Sequence, residues 1–551
     1  MLIKLSGGTV YDPVHGINGE KRNIYIHDGK ITRKPSDSVK VNKTYDLRGK
    51  IVMAGAIDIH THIGGGKVNI ARMMLPEDHR KDSVRKTSTT RSGCGHAAPS
   101  TQITGYRYAE MGYTSCFEPA MLPINARQAH MEMADTPMVD KGAYALLGSD
   151  DFFLRMLRSS KDQEVISDYV GWIINATKAM AIKVVNPGGI SAFKFNQRKL
   201  DLDEKNKHYN VSPREILLAL ARAVRELGIP HPLHVHGCNL GVPGNVNTTL
   251  ETIRAIEGMP LHLTHIQFHS YDNEGDRKFS SGAAQVAEAV NNSPNISVDV
   301  GQVLFGQTVT ASGDTMMQYA GHWHADPKKW VLMDIECDAG CGVVPFRYRD
   351  KNFVNALQWA IGLELFLQVN DPWRIFLTTD HPNGAPFTSY PHLIRLLMDK
   401  SFRNDMLATI NKNAVKASIL GSLDREYTLY EIAIMTRAAP ARSLGLKNRG
   451  HLGAGATADI TVYNDNSNRE KMFARPLYVF KDGELVVKDG KVVKVINGST
   501  HILKPEYDNN IERPLKNYFD RYQTIKLGNF KLQDDEIIEY GKGNIIIQPC
   551  H

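Results

Sequence analysis

The sequence predicts an α/β protein, a (β/α)₈ TIM-like barrel with a flanking β-sandwich domain built from N- and C-terminal segments. Between residues 56 and 447, short apolar strands alternate with amphipathic helices, a pattern typical of parallel sheets. Before and after that stretch, short alternating segments are broken by turns such as Asp-Gly, which indicates hairpins. We expect residues 1–55 and 448–551 to form the sandwich and a tail, and residues 56–447 the barrel.

Eight candidate strands follow one another through the middle of the chain. Each is a short apolar run, and together they cover residues 55–62, 114–121, 142–149, 181–188, 231–238, 260–267, 295–302 and 374–381. Clear helices lie between several of them, at residues 163–180, 212–228, 281–293 and 352–369. Ser212 and Pro213 open the second of these helices as its N-cap and first helical residue. Eight strands with interleaved helices fit a parallel barrel.

Composition indicates a soluble, cytoplasmic protein of two or more domains. The 551 residues are too many for one compact core, and the net charge of +7 is mild for this length. No nucleic-acid motif is present, and no apolar run approaches the roughly 20 residues that span a bilayer. Six cysteines form no disulfide framework, and we expect Cys337 and Cys341 to be plain thiols.

Metal-binding residue types recur at the ends of the predicted strands. The carboxyl ends of barrel strands gather at one face, where functional groups of such barrels lie. Five of the eight strands end there in a side chain that can hold a metal, namely His60 and His62, Lys183, His234 and His236, His262 and His265, and Asp380. A single histidine at a strand end is often only a polar residue, but this recurrence predicts a shared metal site.

Several of these positions have rivals. His236 and His265 lie nearest their strand ends, and we prefer them to His234 and His262. Lys183 needs a separate argument because a protonated lysine repels cations. If burial lowers its pKa, the neutral amine can add carbon dioxide to give a carbamate that bridges two metals. A solvated lysine or a salt bridge is the structural alternative, and Lys194 is the rival position.

The same residues resemble the ligand motif of the amidohydrolase superfamily. The small residue, Gly, Ile-Asp and His-x-His on strand one are similar to its motif, with Ala54 in place of the common proline. The segment "HLGAGATADITVYN" resembles the stretch that re-enters the flanking sandwich in these enzymes. Within the superfamily, "IKVVNPGG", "HVHGCNLG" and "LTHIQFHSY" look like the A subunits of formylmethanofuran dehydrogenases. The resemblance spans nearly the whole chain.

The resemblance implies a binuclear amidohydrolase that reversibly condenses formate with the amine of methanofuran. It implies two zinc ions and no redox cofactor in this subunit. His60, His62 and Asp380 would hold one metal, His236 and His265 the other, and carboxylated Lys183 would bridge them. Asp380 would also be the general acid and base. The implied partners are iron–sulfur subunits and a tungsten or molybdenum subunit that resembles formate dehydrogenase, with neither nucleic acid nor a membrane span.

Substrate contacts are harder to assign. Asn186 and His381 follow two of the ligand positions, although a turn and a surface role explain them equally well. The loop after strand one carries Arg80 and Arg85 among other basic residues, which could bind the carboxylates of methanofuran or simply be solvated. Two other functions remain open: a cyclic-amide hydrolase of the dihydroorotase or hydantoinase type, and a non-catalytic scaffold. The C-terminal tail could be an interface segment.

Overall fold

The barrel predicted from the sequence is present and complete. The computed structural model describes residues 1–36, 38–334, 340–541 and 543–550. Eight parallel strands pair in chain order, and they span Ala56–Asp58, Tyr113–Met121, Asp140–Leu146, Ala181–Val185, Leu233–His236, Leu261–Leu263, Ile296–Asp299 and Ile375–Phe376. The eighth strand meets the first beyond their ends, where the His62 N–H donates to the His381 carbonyl at 2.8 Å. This contact closes the barrel.

The predicted helices are present, although Phe353–Gln368 is buried on nearly all sides and is not amphipathic as expected. The four predicted helices run over Gln163–Thr177, Pro213–Glu226, Ala283–Asn292 and Phe353–Gln368. Ser212 caps the second of these, accepting from the Glu215 N–H while the Glu215 carboxylate accepts from the Ser212 N–H. The remaining helices are Gly66–Met74, Pro76–Lys81, Thr101–Glu110, Ala126–Ala134, Asp151–Arg158, Gly189–Lys194, Val246–Ala255, Thr315–Gly321, Tyr390–Met398, Lys400–Thr409, Lys412–Lys416, Leu429–Ala433, Ala439–Ser443, Arg469–Ala474, Glu512–Tyr522, Leu527–Phe530 and Asp534–Gly541, with a π-helical segment at Ile434–Ala438.

A second, nine-stranded sheet joins the two ends of the chain. Lys50–Ala54 runs antiparallel to Ile460–Asn464, so the N-terminal strands continue directly into the C-terminal ones. This arrangement confirms the flanking domain built from both termini, while the boundaries at residues 55 and 448 stay a prediction. The other strands of the sheet are Leu2–Asp12, Ile17–His27, Lys30–Thr32, Lys43–Asp46, Tyr478–Lys481, Glu484–Lys488 and Lys491–Val492.

The C-terminal tail packs against the barrel of its own chain. Thr500–Leu503 pairs with the start of the third barrel strand, and Ile545–Gln548 pairs with Thr500–Leu503. Between these two strands, Phe519 and Phe530 lie against the indole of the barrel residue Trp172, with ring centroids 6.5 and 5.5 Å away. Much of the tail is therefore part of the core of this chain.

An excursion of residues 306–348, which the sequence did not predict, follows the seventh barrel strand. Its strands Gly306–Ser312, Val331–Asp334 and Gly340–Tyr348 form an antiparallel sheet, and the helix Thr315–Gly321 lies beside it. The excursion packs on the helix Gly66–Met74, with Val309 and Val343 against Ala71. Cys337 lies outside the described residues, and the cysteines within the described ranges are free. The two remaining pairs of short strands are Ser83–Val84 with Gly93–Cys94 and Tyr271–Asp272 with Ser280–Ser281.

Helices able to cross a membrane are absent from the described part of the chain, since none is both long and apolar enough.

A buried charge cluster ties the barrel, the second sheet and the tail together at Asp140. This carboxylate starts the third barrel strand, is fully buried, and lies 2.8 Å from Arg449 Nε and 3.1 Å from Lys481 Nζ. It also accepts from the N–H of Ser499 at 2.8 Å. Burial alone would raise the pKa of Asp140, but the two cations hold it well below its ordinary value.

Replacing Asp140 with asparagine is expected to destabilise the protein strongly. The substitution leaves two buried cations with one negative charge fewer, and breaking a buried ion pair from one side costs about 3–5 kcal/mol. The urea midpoint of unfolding, followed by circular dichroism, measures this loss. Asp46→Asn is the matched control, because Asp46 forms an exposed pair with Arg48 and its loss should barely move the midpoint. Equal midpoints for the two variants would contradict the role of the cluster.

Candidate metal centre

A cavity of about 1010 Å³ opens at the carboxyl ends of the barrel strands. The excursion covers one side of it, through residues that include Thr310, Asp314 and Tyr348. All six residues predicted to hold metal line this one cavity, namely His60, His62, Lys183, His236, His265 and Asp380. Side chains from five different strand ends are therefore brought to one place. Their roles as ligands stay a prediction.

Several of these side chains follow the strands at a greater distance than the sequence suggested. The first barrel strand ends at Asp58, so His60 and His62 lie in the segment just after it. Asp380 likewise lies four residues beyond the eighth strand, which ends at Phe376. The chain leaves the regular ladder here, and this lets it turn its side chains toward the barrel axis.

His60, His62 and Asp380 form one of two buried groups of possible metal ligands among the described residues, the other being His60, His234 and Asp299. Nε2 of His60 and Nε2 of His62 lie 2.9 and 3.2 Å from the same oxygen, Oδ1 of Asp380. All three side chains are buried, and their ligand atoms lie within 4.8 Å of one another. Two imidazole nitrogens and a carboxylate oxygen are a donor set that suits zinc.

The hydrogen bond of His62 to Glu118 tests whether a cation fits here. His62 Nδ1 lies 2.9 Å from Glu118 Oε1. Burial would raise the pKa of Glu118, but His62 and Lys67 outweigh it and lower the pKa to about 2. The ionised carboxylate only accepts, so Nδ1 carries a proton and Nε2 is the ring nitrogen that faces Asp380. A ring nitrogen at 3.2 Å from an ionised carboxylate requires a cation or a proton between them. The group fits a metal.

Backbone strain is concentrated at two of the proposed ligands. His265 and Asp380 have φ angles of 37° and 50°, in the left-handed region that non-glycine residues rarely adopt. Gly301 makes room for both, because a Cβ there would lie 2.3 Å from Cβ of His265 and 3.4 Å from Cβ of Asp380. Burial would raise the pKa of Asp380, but His60 and His265 hold it well below its usual range. The carboxylate is therefore ionised and aimed into the cavity.

His236 and His265 form the second group. Their ring centroids are 4.6 Å apart and nearly perpendicular. Nδ1 of His265 is buried without a hydrogen-bond partner among the described residues. His236 Nε2 lies 3.0 Å from Oδ2 of Asp314, a residue of the excursion. Two neutral imidazoles facing one cavity could share a second metal.

Lys183 has the environment that carbamate formation requires. Its side chain is buried, and within the described ranges its amine has neither a hydrogen bond nor an ion pair. Burial lowers the pKa of Lys183 to about 7, against the opposing effect of Asp299 and Asp380. A large fraction of the amine is thus neutral near pH 7, the form that adds carbon dioxide. Lys194 lies in the helix Gly189–Lys194 and does not line the cavity.

The rival histidines lie deeper in the barrel and contact other partners. His234 Nε2 is 2.9 Å from His60 Nδ1, and His234 Nδ1 is 2.9 Å from Nε2 of His231. His262 Nε2 lies 3.0 Å from Oδ2 of Asp299. Neither His234 nor His262 lines the cavity. This placement favours His236 and His265 as the cavity-facing pair.

The four predicted substrate residues lie outside the lining of the cavity. The Asn186 amide donates to Asp314 at 3.1 Å, and His381 accepts from the N–H of Phe387 at 3.2 Å. Arg80 and Arg85 are exposed on the loop after strand one. Their contacts with substrate stay a prediction.

The sequence pattern did not identify three carboxylates that contact the proposed histidine ligands, namely Glu118, Asp299 and Asp314. Glu118 lies in the second predicted strand and Asp299 ends the seventh, so the strand-end rule that found the histidines could also have found them. Asp314 lies in the excursion, where no local pattern identifies it. Lys67 follows strand one, is buried and lines the cavity.

Comparison with known proteins identifies the family of this chain. A family model described as the amidohydrolase family matches residues 43–494. Protein FwdA of Methanocaldococcus jannaschii is 42% identical over 554 residues, covering 96% of each chain. The A subunit of the formyltransferase/hydrolase complex Fhc of Methylorubrum extorquens is 42% identical over 539 residues, covering 97% of each.

A solved structure extends the likeness to the whole fold. The crystal structure of the formyltransferase/hydrolase complex FhcABCD from Methylorubrum extorquens, in complex with methylofuran, contains a chain that is 40% identical to this one. The two superpose with a TM-score of 0.94 and cover 100% of each other. By sequence and by fold, this chain belongs to the amidohydrolase family.

Proposed function

We propose that this chain is the metal-dependent amidohydrolase subunit of a formylmethanofuran dehydrogenase complex. Its reaction is the reversible cleavage of the formamide of formylmethanofuran to formate and the primary amine of methanofuran. The observation that carries the proposal is the convergence of His60, His62, Lys183, His236, His265 and Asp380 on one cavity. The Fhc relative, whose complex was solved with methylofuran, supports the substrate class.

The proposed centre would hold two zinc ions. His60, His62 and Asp380 would hold one of them and His236 and His265 the other, with carboxylated Lys183 as a ligand of both. Such a metal pair would supply a nucleophilic water at neutral pH and polarise the formyl carbonyl. No redox cofactor is required of this subunit, because the cleavage of an amide transfers no electrons.

Asp380 moves the proton in this proposal. Its carboxylate is ionised, is buried in the cavity, and accepts the proton released by the attacking water. It then returns that proton to the amine nitrogen, which leaves as a neutral group. In the condensation direction Asp380 takes a proton from the attacking amine and gives it to the departing oxygen of formate, which takes its second proton from solvent and leaves as water.

The partners set the direction of the reaction, since an enzyme cannot shift its equilibrium. Condensation of formate with an amine in water needs a high local concentration of formate. A tungsten or molybdenum subunit that reduces carbon dioxide, served by iron–sulfur subunits, would provide it, which is the first step of carbon dioxide reduction in methanogenesis. A relative that operates in a formyltransferase/hydrolase complex supports assembly with other subunits.

Substrate choice tests the proposal directly. Zinc-loaded chain is expected to release formate from formylmethanofuran and to leave dihydroorotate and hydantoin intact, as measured by formate release and by ring opening. The reverse preference would assign a cyclic-amide hydrolase. No turnover of any of these amides, with two metals bound per chain, would indicate a non-catalytic scaffold.

A further inference from the structure

Asp314 reaches the proposed second metal site from outside the barrel. It lies between the strand Gly306–Ser312 and the helix Thr315–Gly321 of the excursion, and its side chain is buried. Oδ2 lies 3.0 Å from Nε2 of His236. This contact occupies Nε2 and leaves Nδ1 of His236 as the ring nitrogen that another partner can approach. In the described ranges, Nδ1 has no hydrogen-bond partner.

The position of Asp314 is itself fixed on two sides. Oδ1 accepts from the Asn186 amide at 3.1 Å and from the Met317 N–H at 3.2 Å, so it caps the helix of the excursion. Asn186 has a φ of 40° in the turn after the fourth barrel strand. A chain of contacts therefore runs from that turn through Asp314 to His236.

We propose that Asp314 is a positioning residue that sets the ring of His236 for the second metal. This inference rests on the proposed binuclear centre. Glu118 orients His62 in the same way, but from a barrel strand. His62 of the first site is thus oriented from the barrel and His236 of the second from the excursion, so occupancy of the second site depends on how the excursion packs on the barrel. Outer partners of metal-bound histidines typically contribute about 10–100-fold to metal affinity.

Zinc titration of the chelator-treated full chain tests this role without any substrate. A competing chromophoric chelator gives the affinity of each site. We expect two zinc ions per wild-type chain, and Asp314→Ala should weaken one site by about 10–100-fold while sparing the other. Asp314→Asn keeps an oxygen acceptor and should recover part of that loss. Gln318→Ala is the matched control, because Gln318 lines the same cavity from the same helix and does not contact His236.

Further readouts separate positioning from other roles. Asn186→Ala removes a support of Asp314 and should weaken the same site by a smaller factor, which keeps the test decisive if Asp314→Ala fails to fold. Unchanged affinities in every Asp314 and Asn186 variant would overturn the proposal. Equal losses in Asp314→Ala and Asp314→Asn, with a cobalt(II) spectrum of lower coordination number, would make Asp314 a ligand instead and overturn the positioning role.

The same titration keeps this inference distinct from the proposed function. A wild-type chain that binds two zinc ions, shows the Asp314 effect and hydrolyses no formamide would contradict the function and support the positioning role. A wild-type chain that takes up fewer than two zinc ions would contradict the binuclear centre, and this inference with it.

Discussion

Asp380→Asn is expected to lower kcat for formamide hydrolysis by about 10²–10⁴-fold, the usual contribution of general acid–base catalysis. Asparagine keeps the size of the side chain and one oxygen toward Nε2 of His60 and His62, which lie 2.9 and 3.2 Å from the aspartate. It removes the group that accepts and returns the proton. At least one metal should therefore stay bound while turnover falls.

Three measurements together test this prediction. Formate release gives kcat, metal analysis gives the zinc content per chain, and circular dichroism confirms that the fold survives. Asp350→Asn is a suitable control, since it neutralises a half-exposed aspartate whose ion pair with Lys351 spans 3.6 Å. Full activity in Asp380→Asn would show that another group transfers the proton. Loss of all metal would mean that the Asp380 charge is needed for binding, which contradicts the separation of the two roles.

Most of the barrel was predictable because its signals are local. Each barrel strand overlaps the residue range expected for it, although the second begins one residue earlier and the third two residues earlier. The four expected helices are present, and one of them carries a capping box at Ser212 and Glu215. Chain order then defines the topology, because successive strands of a parallel barrel are neighbours. Local pattern and global fold agree through this part of the chain.

The excursion was not predictable, because the contacts that hold it in place are not local in the sequence. Its strands pair with each other and cover the mouth of the cavity. Their apolar side chains pack on the segment that follows strand one. Val309 and Val343 pack on Ala71, more than 200 positions earlier in the sequence. A short stretch of sequence carries no signal for a contact between residues so far apart in the chain. Asp314, which depends on this packing, consequently appears only in the folded structure.

Residue types at strand ends identified the proposed site in the sequence. The tautomers of its histidines and its backbone conformation were not predicted. Histidines and an aspartate at strand ends are visible in the sequence, but their tautomers depend on the carboxylates that face them. The left-handed backbone at His265 and Asp380 is also a tertiary property, since the close approach of Gly301 accompanies it. Sequence therefore indicates which residues meet, and the structure shows how each is held.

Lys183→Ala is expected to remove both metal and activity, because it deletes the proposed bridge between the two sites. Zinc content should fall below two per chain. Metal catalysis supplies several kcal/mol of transition-state stabilisation, so turnover should fall on the order of 10²–10⁴-fold. This pattern differs from that of Asp380→Asn, in which turnover falls and metal remains. Metal analysis and formate release on the same preparation distinguish the two.

Rescue makes the Lys183 prediction specific to a carboxylate. A short carboxylic acid such as acetate, added with excess zinc, can enter the space left by the side chain and should restore part of the metal content and turnover of Lys183→Ala. Lys194→Ala is the control, because Lys194 lies outside the cavity lining and its loss should change neither quantity. A Lys183→Ala protein with two metals and normal turnover would show that Lys183 is not the bridge, and Lys194 would be the next candidate. Metal loss without rescue by any small carboxylate would instead favour a purely structural role for the buried amine, whose pKa of about 7 already permits it to be neutral.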